Sequence, residues 1–251
     1  MKSKKMFRNM LVLSICLNVV FIGIAGLFVY KKGGISYLAS KIPTSATSAK
    51  ASSFPYYEDR ISLFESKSLD REDIVIIGDS LVDYAEWNEL IPDSRIKNRG
   101  IAGDTSEGVL NRISNISQSK PKIVLVSVGI NDLQRGIKTN DVIKKYELII
   151  SNIKVNSPQT EIIFTSVLPV NLNNYKENFP DYDGAEINKN VIVLNKDLQS
   201  LASRENAKYI DLYSELTVSD ELKENFTHDG LHLNSDAYEI WTKEINKLIK
   251  Q

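Results

Sequence analysis

A chain of 251 residues, 42% hydrophobic and 25% charged with a formal net charge of −1, has the make-up of one globular domain. Its charge is unevenly spread: residues 1–53 hold eight of the 31 Lys and Arg and no Asp or Glu, leaving 23 basic against 32 acidic residues, a net of −9, in the rest. That acidity argues against a nucleic-acid partner, because phosphate contacts dominate such affinity. The single cysteine, Cys16, excludes an intrachain disulfide and cysteine-based metal sites.

Residues 1–10 carry Lys2, Lys4, Lys5 and Arg8, and residues 11–30 are uncharged and mostly apolar up to Lys31-Lys32. At ~1.5 Å per residue that stretch suits a bilayer core of about 30 Å. The spacing predicts an uncleaved transmembrane signal-anchor, with a basic cytoplasmic N-terminus and the remainder extracytoplasmic. Secretion after cleavage is the alternative; a cleaved signal usually has a shorter apolar core and a small-residue cleavage site. Leu13-Ser14-Ile15-Cys16 resembles a bacterial lipobox, but Ile15 stands where a small residue is expected, so Cys16 reads as a small hydrophobe in the membrane helix. Residues 31–53, with Pro43-Thr44-Ser45-Ala46-Thr47-Ser48-Ala49, have no hydrophobic period and are expected to form a flexible linker.

A domain is expected over 54–251. Helix signals near 56–67 lead to a strand at 73–77, a helix from 80, a short strand at 95–98, a helix at 106–116 and a strand at 123–128. A helix at 139–155, a strand at 161–167, a helix at 186–205, a strand at 208–212 and a closing helix at 235–249 follow. Such alternation implies an α/β fold with a parallel sheet covered on both faces. Between them, residues 171–185 read as a long loop whose Tyr175, Phe179 and Tyr182 shape the acyl or alcohol side of a pocket.

Four short motifs fall at strand ends: Gly78-Asp79-Ser80, Gly103-Asp104-Thr105, Gly129-Ile130-Asn131-Asp132 and Asp229-Gly230-Leu231-His232. Alone, each has a plain reading as a turn or helix cap: Asp79 can cap the helix after it, and Asp104-Thr105-Ser106 the helix from 106. Together they supply the parts of acyl transfer. A serine hydroxyl is a weak nucleophile that needs an adjacent base, itself oriented by a third group. Only His228 and His232 can be that base, and His232 is favoured because Asp229 lies three residues before it. The backbone N–H groups of Ser80 and Gly103 and the Asn131 amide are suitable oxyanion donors. Val82 disfavours the Gly-x-Ser-x-Gly elbow of α/β-hydrolases.

The blocks Gly78-Asp79-Ser80-Leu81, Asn98-Arg99-Gly100-Ile101-Ala102-Gly103-Asp104-Thr105, Gly129-Ile130-Asn131-Asp132 and Asp229-Gly230-Leu231-His232-Leu233 resemble the SGNH/GDSL hydrolase family over roughly 70–250. The branch they resemble most is that of the platelet-activating-factor acetylhydrolase-like small esterases. This resemblance implies a three-layer α/β/α fold with a flavodoxin-like parallel sheet. It also implies Ser80 as nucleophile, Gly103 and Asn131 as oxyanion-hole partners beside Ser80, and Asp229 and His232 completing the triad, with no cofactor or metal. The expected function is a membrane-anchored serine esterase acting on small O-acyl esters of carbohydrate or lipid. Alternatives are an O-acyltransferase on cell-envelope glycan and a non-catalytic glycan-binding module. A metallophosphoesterase is disfavoured by the presence of only two histidines.

Overall fold

The computed structural model describes residues 55–92 and 95–249. The expected signal-anchor at 11–30 and linker at 31–53 lie outside these; among the described residues, no helix is long and apolar enough to cross a membrane.

Helix α1 (Pro55–Glu65) leads into β1 (Ile74–Gly78), followed by short helices α2 (Ser80–Asp83) and α3 (Trp87–Leu90) and strand β2 (Ile96–Gly100). Next come α4 (Ser106–Gln118), β3 (Ile123–Ser127), α5 (Ile130–Gln134), α6 (Thr139–Asn156) and β4 (Glu161–Thr165). The chain continues through α7 (Leu172–Asn178), α8 (Gly184–Arg204), β5 (Lys208–Ile210), α9 (Leu212–Leu216), a small hairpin of β6 (Thr217–Val218) and β7 (Glu221–Leu222), and α10 (Ser235–Ile249).

The five long strands form one parallel sheet in the order β2-β1-β3-β4-β5. This is the flavodoxin-like order. Strands β1 and β3 are buried at every position, as expected of central parallel strands covered on both faces. Successive side chains alternate between faces. Val75, Ile77, Val124 and Val126 pack with the apolar stripes of α4, α6 and α8. Ile74, Ile76, Ile123 and Leu125 pack with α2, α3, α9 and α10. Helical spacing explains the stripes: Val109, Ile113 and Ile116 are buried on α4, and Val142, Tyr146, Ile149 and Ile153 on α6.

Three expectations need correction. The helix from Ser80 breaks into α2 and α3, because the Asn98 amide donates to the carbonyls of Val82 (2.9 Å) and Asp83 (3.1 Å) and so terminates the first piece. The segment 171–185 is not one long loop: it contains α7, capped by Asn171 accepting from the Asn174 N–H, and the start of α8, capped by Asp183. Finally, β4 ends at Thr165. Beyond it, Asn195 bonds both the N–H and C=O of Val167 (each 2.8 Å), and Asn188 bonds those of Val170 (2.8 and 2.9 Å). Two helix side chains seven residues apart thus satisfy the backbone that a neighbouring strand would otherwise pair.

Candidate active site

Strand β1 delivers Ser80 to the carboxyl edge of the sheet, beside the point where the strand order reverses. Asp79 caps α2 by accepting from the Leu81 N–H at 3.0 Å, which fixes Ser80 in the first turn with only 5% of its surface exposed. The Ser80 hydroxyl lies 3.1 Å from His232 Nε2, and His232 Nδ1 lies 2.6 Å from Asp229 Oδ2.

The turn that carries His232 is over-determined. Asp229 Oδ1 accepts from the N–H groups of Leu231 (2.9 Å) and His232 (2.8 Å), so one carboxylate holds both ring and backbone. Gly230 sits at φ +88, and a Cβ there would come within 2.3 Å of the Tyr175 nitrogen. Helix α7 therefore packs directly on this turn, and the Asn171 N–H donates to the Gly230 carbonyl at 2.9 Å.

Two further loops, those after β2 and β3, leave the sheet at the same carboxyl edge as Ser80. Gly103, at φ +78, occupies a backbone region that favours glycine. Its N–H and that of Ser80 donate to no group among the described residues. The Asn131 amide gives one N–H to the Asp104 carbonyl at 2.9 Å, which leaves its second N–H for another acceptor. Arg135 steadies the loop by donating to the Gly103 carbonyl at 2.8 Å.

Beneath these loops lies an anchor that motif spacing did not single out. The buried Arg112 guanidinium donates through Nε to Asp104 Oδ2 (2.9 Å), through Nη1 to the Arg99 carbonyl (2.7 Å) and through Nη2 to the Gly78 carbonyl (3.0 Å). It thus ties the ends of β1 and β2 to the Gly103-Asp104 turn. Asp132 does similar work on the β3 side, accepting from the Ser106 N–H (2.9 Å) and hydroxyl (2.6 Å). A sequence signal for Arg112 existed: it falls between Val109 and Ile113 on the buried face of α4.

The electrostatics separate the acids. Burial raises the Asp229 carboxyl, but hydrogen bonds from the His232 ring, the His232 N–H and the Leu231 N–H outweigh it and hold the group below the ordinary range. Burial pushes Asp79 up to about 7, with the Asp104 and Asp132 charges adding to the rise against the Leu81 N–H bond. Asp104 and Asp132 are likewise raised by burial, opposed by Arg112 and by Ser106 respectively.

The structure therefore brings Ser80, His232 and Asp229 together and carries Gly103 and Asn131 on the loops that leave the same edge of the sheet. His228 is exposed and makes none of these contacts. Asp79 caps the Ser80 helix, and Thr105, accepting from the Gly108 N–H, caps α4. Among the described residues, no three His, Cys, Asp or Glu side chains converge as a metal site. An imidazole held by a carboxylate and within reach of a hydroxyl can deprotonate that hydroxyl, and N–H donors without a partner can stabilise an oxyanion that reaches them. Such an arrangement is chemically able to carry out acyl transfer.

A profile of the GDSL-like Lipase/Acylhydrolase family matches residues 76–240. The platelet-activating factor acetylhydrolase IB subunit alpha2 of Rattus norvegicus is 31% identical over 186 residues, covering 71% of this chain and 76% of that one. The Homo sapiens alpha2 subunit gives the same identity and coverage. A solved structure from Streptococcus pneumonia, described in terms of platelet activating factor, has a TM-score of 0.69 at 26% identity, covering 78% of this chain and 93% of that one. A GDSL-like lipase from Bacteroides thetaiotaomicron has a TM-score of 0.66 at 21% identity, covering 77% and 97%, and supports the fold alone. The protein is an ester-hydrolysing serine hydrolase. It belongs to the GDSL-like lipase/acylhydrolase family, in keeping with the SGNH/GDSL resemblance of its motifs.

Proposed function

We propose that this chain hydrolyses small O-acyl esters, acetyl above all, of carbohydrate or lipid through an acyl-Ser80 intermediate. The observation that carries this reading is the continuous relay from Ser80 Oγ to His232 Nε2 (3.1 Å) and from Nδ1 to Asp229 (2.6 Å). Ser80 Oγ attacks the ester carbonyl carbon while its proton passes to His232 Nε2, and Asp229 stabilises the imidazolium. The N–H groups of Ser80, Gly103 and Asn131 receive the oxyanion. Collapse breaks the carbon–oxygen bond to the alcohol, which leaves with the proton from Nε2. A water molecule, deprotonated by His232, then releases the acid and frees Ser80. Relatives named as acetylhydrolases support a short acyl group.

The basic N-terminus and the apolar stretch at 11–30 support a single-pass anchor with this domain outside the membrane. Resistance of the chain to carbonate extraction would bear this out, and release as a shortened soluble protein would replace it with signal cleavage.

Hydrolysis of nitrophenyl esters from acetyl to octanoyl by the full chain in detergent, with chelator present, tests the chemistry. Turnover should fall with chain length and vanish in folded Ser80→Ala. Undiminished turnover in that variant would refute the serine mechanism.

A further inference from the structure

Two aromatic rings flank His232. The Tyr84 ring lies 5.2 Å from the imidazole at 49°, and the Phe179 ring 6.4 Å away at 60°. Phe179 is fixed in place: it stacks at 4.9 Å on the buried Tyr175, whose hydroxyl accepts from Gln134 at 2.7 Å. Tyr84 follows α2, four residues after Ser80, and its side chain is free to present a face, being 54% exposed.

On the mechanism proposed above, the chemistry decides which half of the ester meets these rings. The departing alcohol takes its proton from His232 Nε2, so the alcohol portion must lie against the imidazole. The carbonyl oxygen points instead toward Gly103 and Asn131. We infer that Tyr84 and Phe179 wall the alcohol side of the site and select a neutral pyranose, laid with its C–H face on Tyr84. This inference rests on the proposed esterase reading and names its substrate class as an acylated sugar.

Three features favour a sugar ring over the other alcohols. An aromatic face is negative at its centre and attracts the polarised C–H groups of a pyranose. Because Tyr84 is half open to water, a ligand with one apolar face and hydroxyls on its rim stays solvated there. An alkyl chain would leave apolar surface wet and gain little, since hydrophobic stabilisation follows the area removed from water. Charge is in keeping with this: burial, and after it the Asp83 and Asp229 carboxylates, push the Tyr84 phenol upward, so the ring stays a neutral phenol and offers an anionic alcohol no countercharge.

The test compares the full chain in detergent on methyl 6-O-acetylglucopyranoside and on ethyl acetate, with acid release followed by titration. In Tyr84→Ala the ratio of kcat/KM for the sugar ester over ethyl acetate should fall about tenfold, the scale of one aromatic contact. Tyr84→Phe should keep the wild-type ratio, and Phe179→Leu should lower it. The ratio of ethyl acetate to ethyl butanoate should not move in Tyr84→Ala, because the acyl group lies elsewhere. An unmoved sugar ratio, or equal movement of both ratios, would overturn the inference while leaving the esterase reading intact. Loss of Ser80 dependence for both esters would overturn the two together.

Discussion

The Arg112 guanidinium donates to the Gly78 carbonyl at 3.0 Å, two residues ahead of Ser80. Its other nitrogens hold the Arg99 carbonyl and Asp104, so one side chain sets the spacing between the turns that present Ser80 and Gly103. Lysine offers a point charge and cannot span three acceptors in a plane. Arg112→Lys is therefore expected to lower kcat by about 100-fold with a smaller change in KM, the scale of a misplacement near 1 Å. Arg112→Ala should also lose ~3–5 kcal/mol of stability, because Asp104 is left buried without its partner. Steady-state kinetics and thermal melts of the two variants check this, and a Lys variant with wild-type kcat would refute the positioning role.

Asp229→Asn keeps an oxygen for the Leu231 and His232 N–H groups but no longer offers the ring a carboxylate. A drop in kcat on the order of 10⁴ is expected with folding preserved. Comparable kcat in the variant would mean that the 2.6 Å contact to His232 Nδ1 is not part of the chemistry.

Asp79 links stability to pH. Its carboxyl titrates near 7 when folded, against ~3.9 in an unfolded chain. The native state therefore binds more protons in that interval, and the stability from Asp79 is full below about pH 4 and is lost as pH rises through 7. At ~1.4 kcal/mol per pH unit the effect can reach a few kcal/mol. Asp79→Asn keeps the cap to Leu81 and should flatten the decline between pH 4 and 7. The shifts of Asp104 and Asp132 have the same sign and persist in the variant, so the difference reports Asp79 together with its coupling to those two carboxylates. Denaturant unfolding at several pH values measures it, and equal slopes would contradict the assignment.

Gly230→Ala forces a Cβ to within 2.3 Å of the Tyr175 backbone at a left-handed φ. A cost above ~1 kcal/mol in stability is expected, together with lost turnover because His232 moves with the turn. Differential scanning calorimetry alongside an ester assay would show both, and a variant with unchanged Tm would remove the claim of tight packing.

The arrangement of the candidate site was legible in sequence because the chemistry proposed for it restricts residue type: few residues can fill the roles proposed for Ser80, His232 and Asp229, and the sequence has only two histidines. The sheet was legible too, since runs such as Ile74-Val75-Ile76-Ile77 admit little else between turn signals. Arg112 carries little signal in the sequence because an arginine in a helix is ordinarily solvated; only its position between Val109 and Ile113 marks it as buried. Helix α7 reads as loop in the sequence because it is polar and its start depends on the Asn171 cap and on packing against Gly230, a contact 55 or more residues away along the chain. Long-range pairing of that kind leaves no local period to detect.

Ser80 and His232 meet across 152 residues of sequence, and Tyr238 fastens the last helix to the Leu81 carbonyl over 157. A nascent chain that has emerged only as far as α8 thus carries the Ser80 hydroxyl without the imidazole proposed as its base. On the proposed mechanism, ester cleavage waits for the segment that carries His232, and turnover becomes a readout of finished tertiary assembly. In a folding experiment, regain of turnover should trail the recovery of helical signal, since segments 152 residues apart must dock before the first bond is broken.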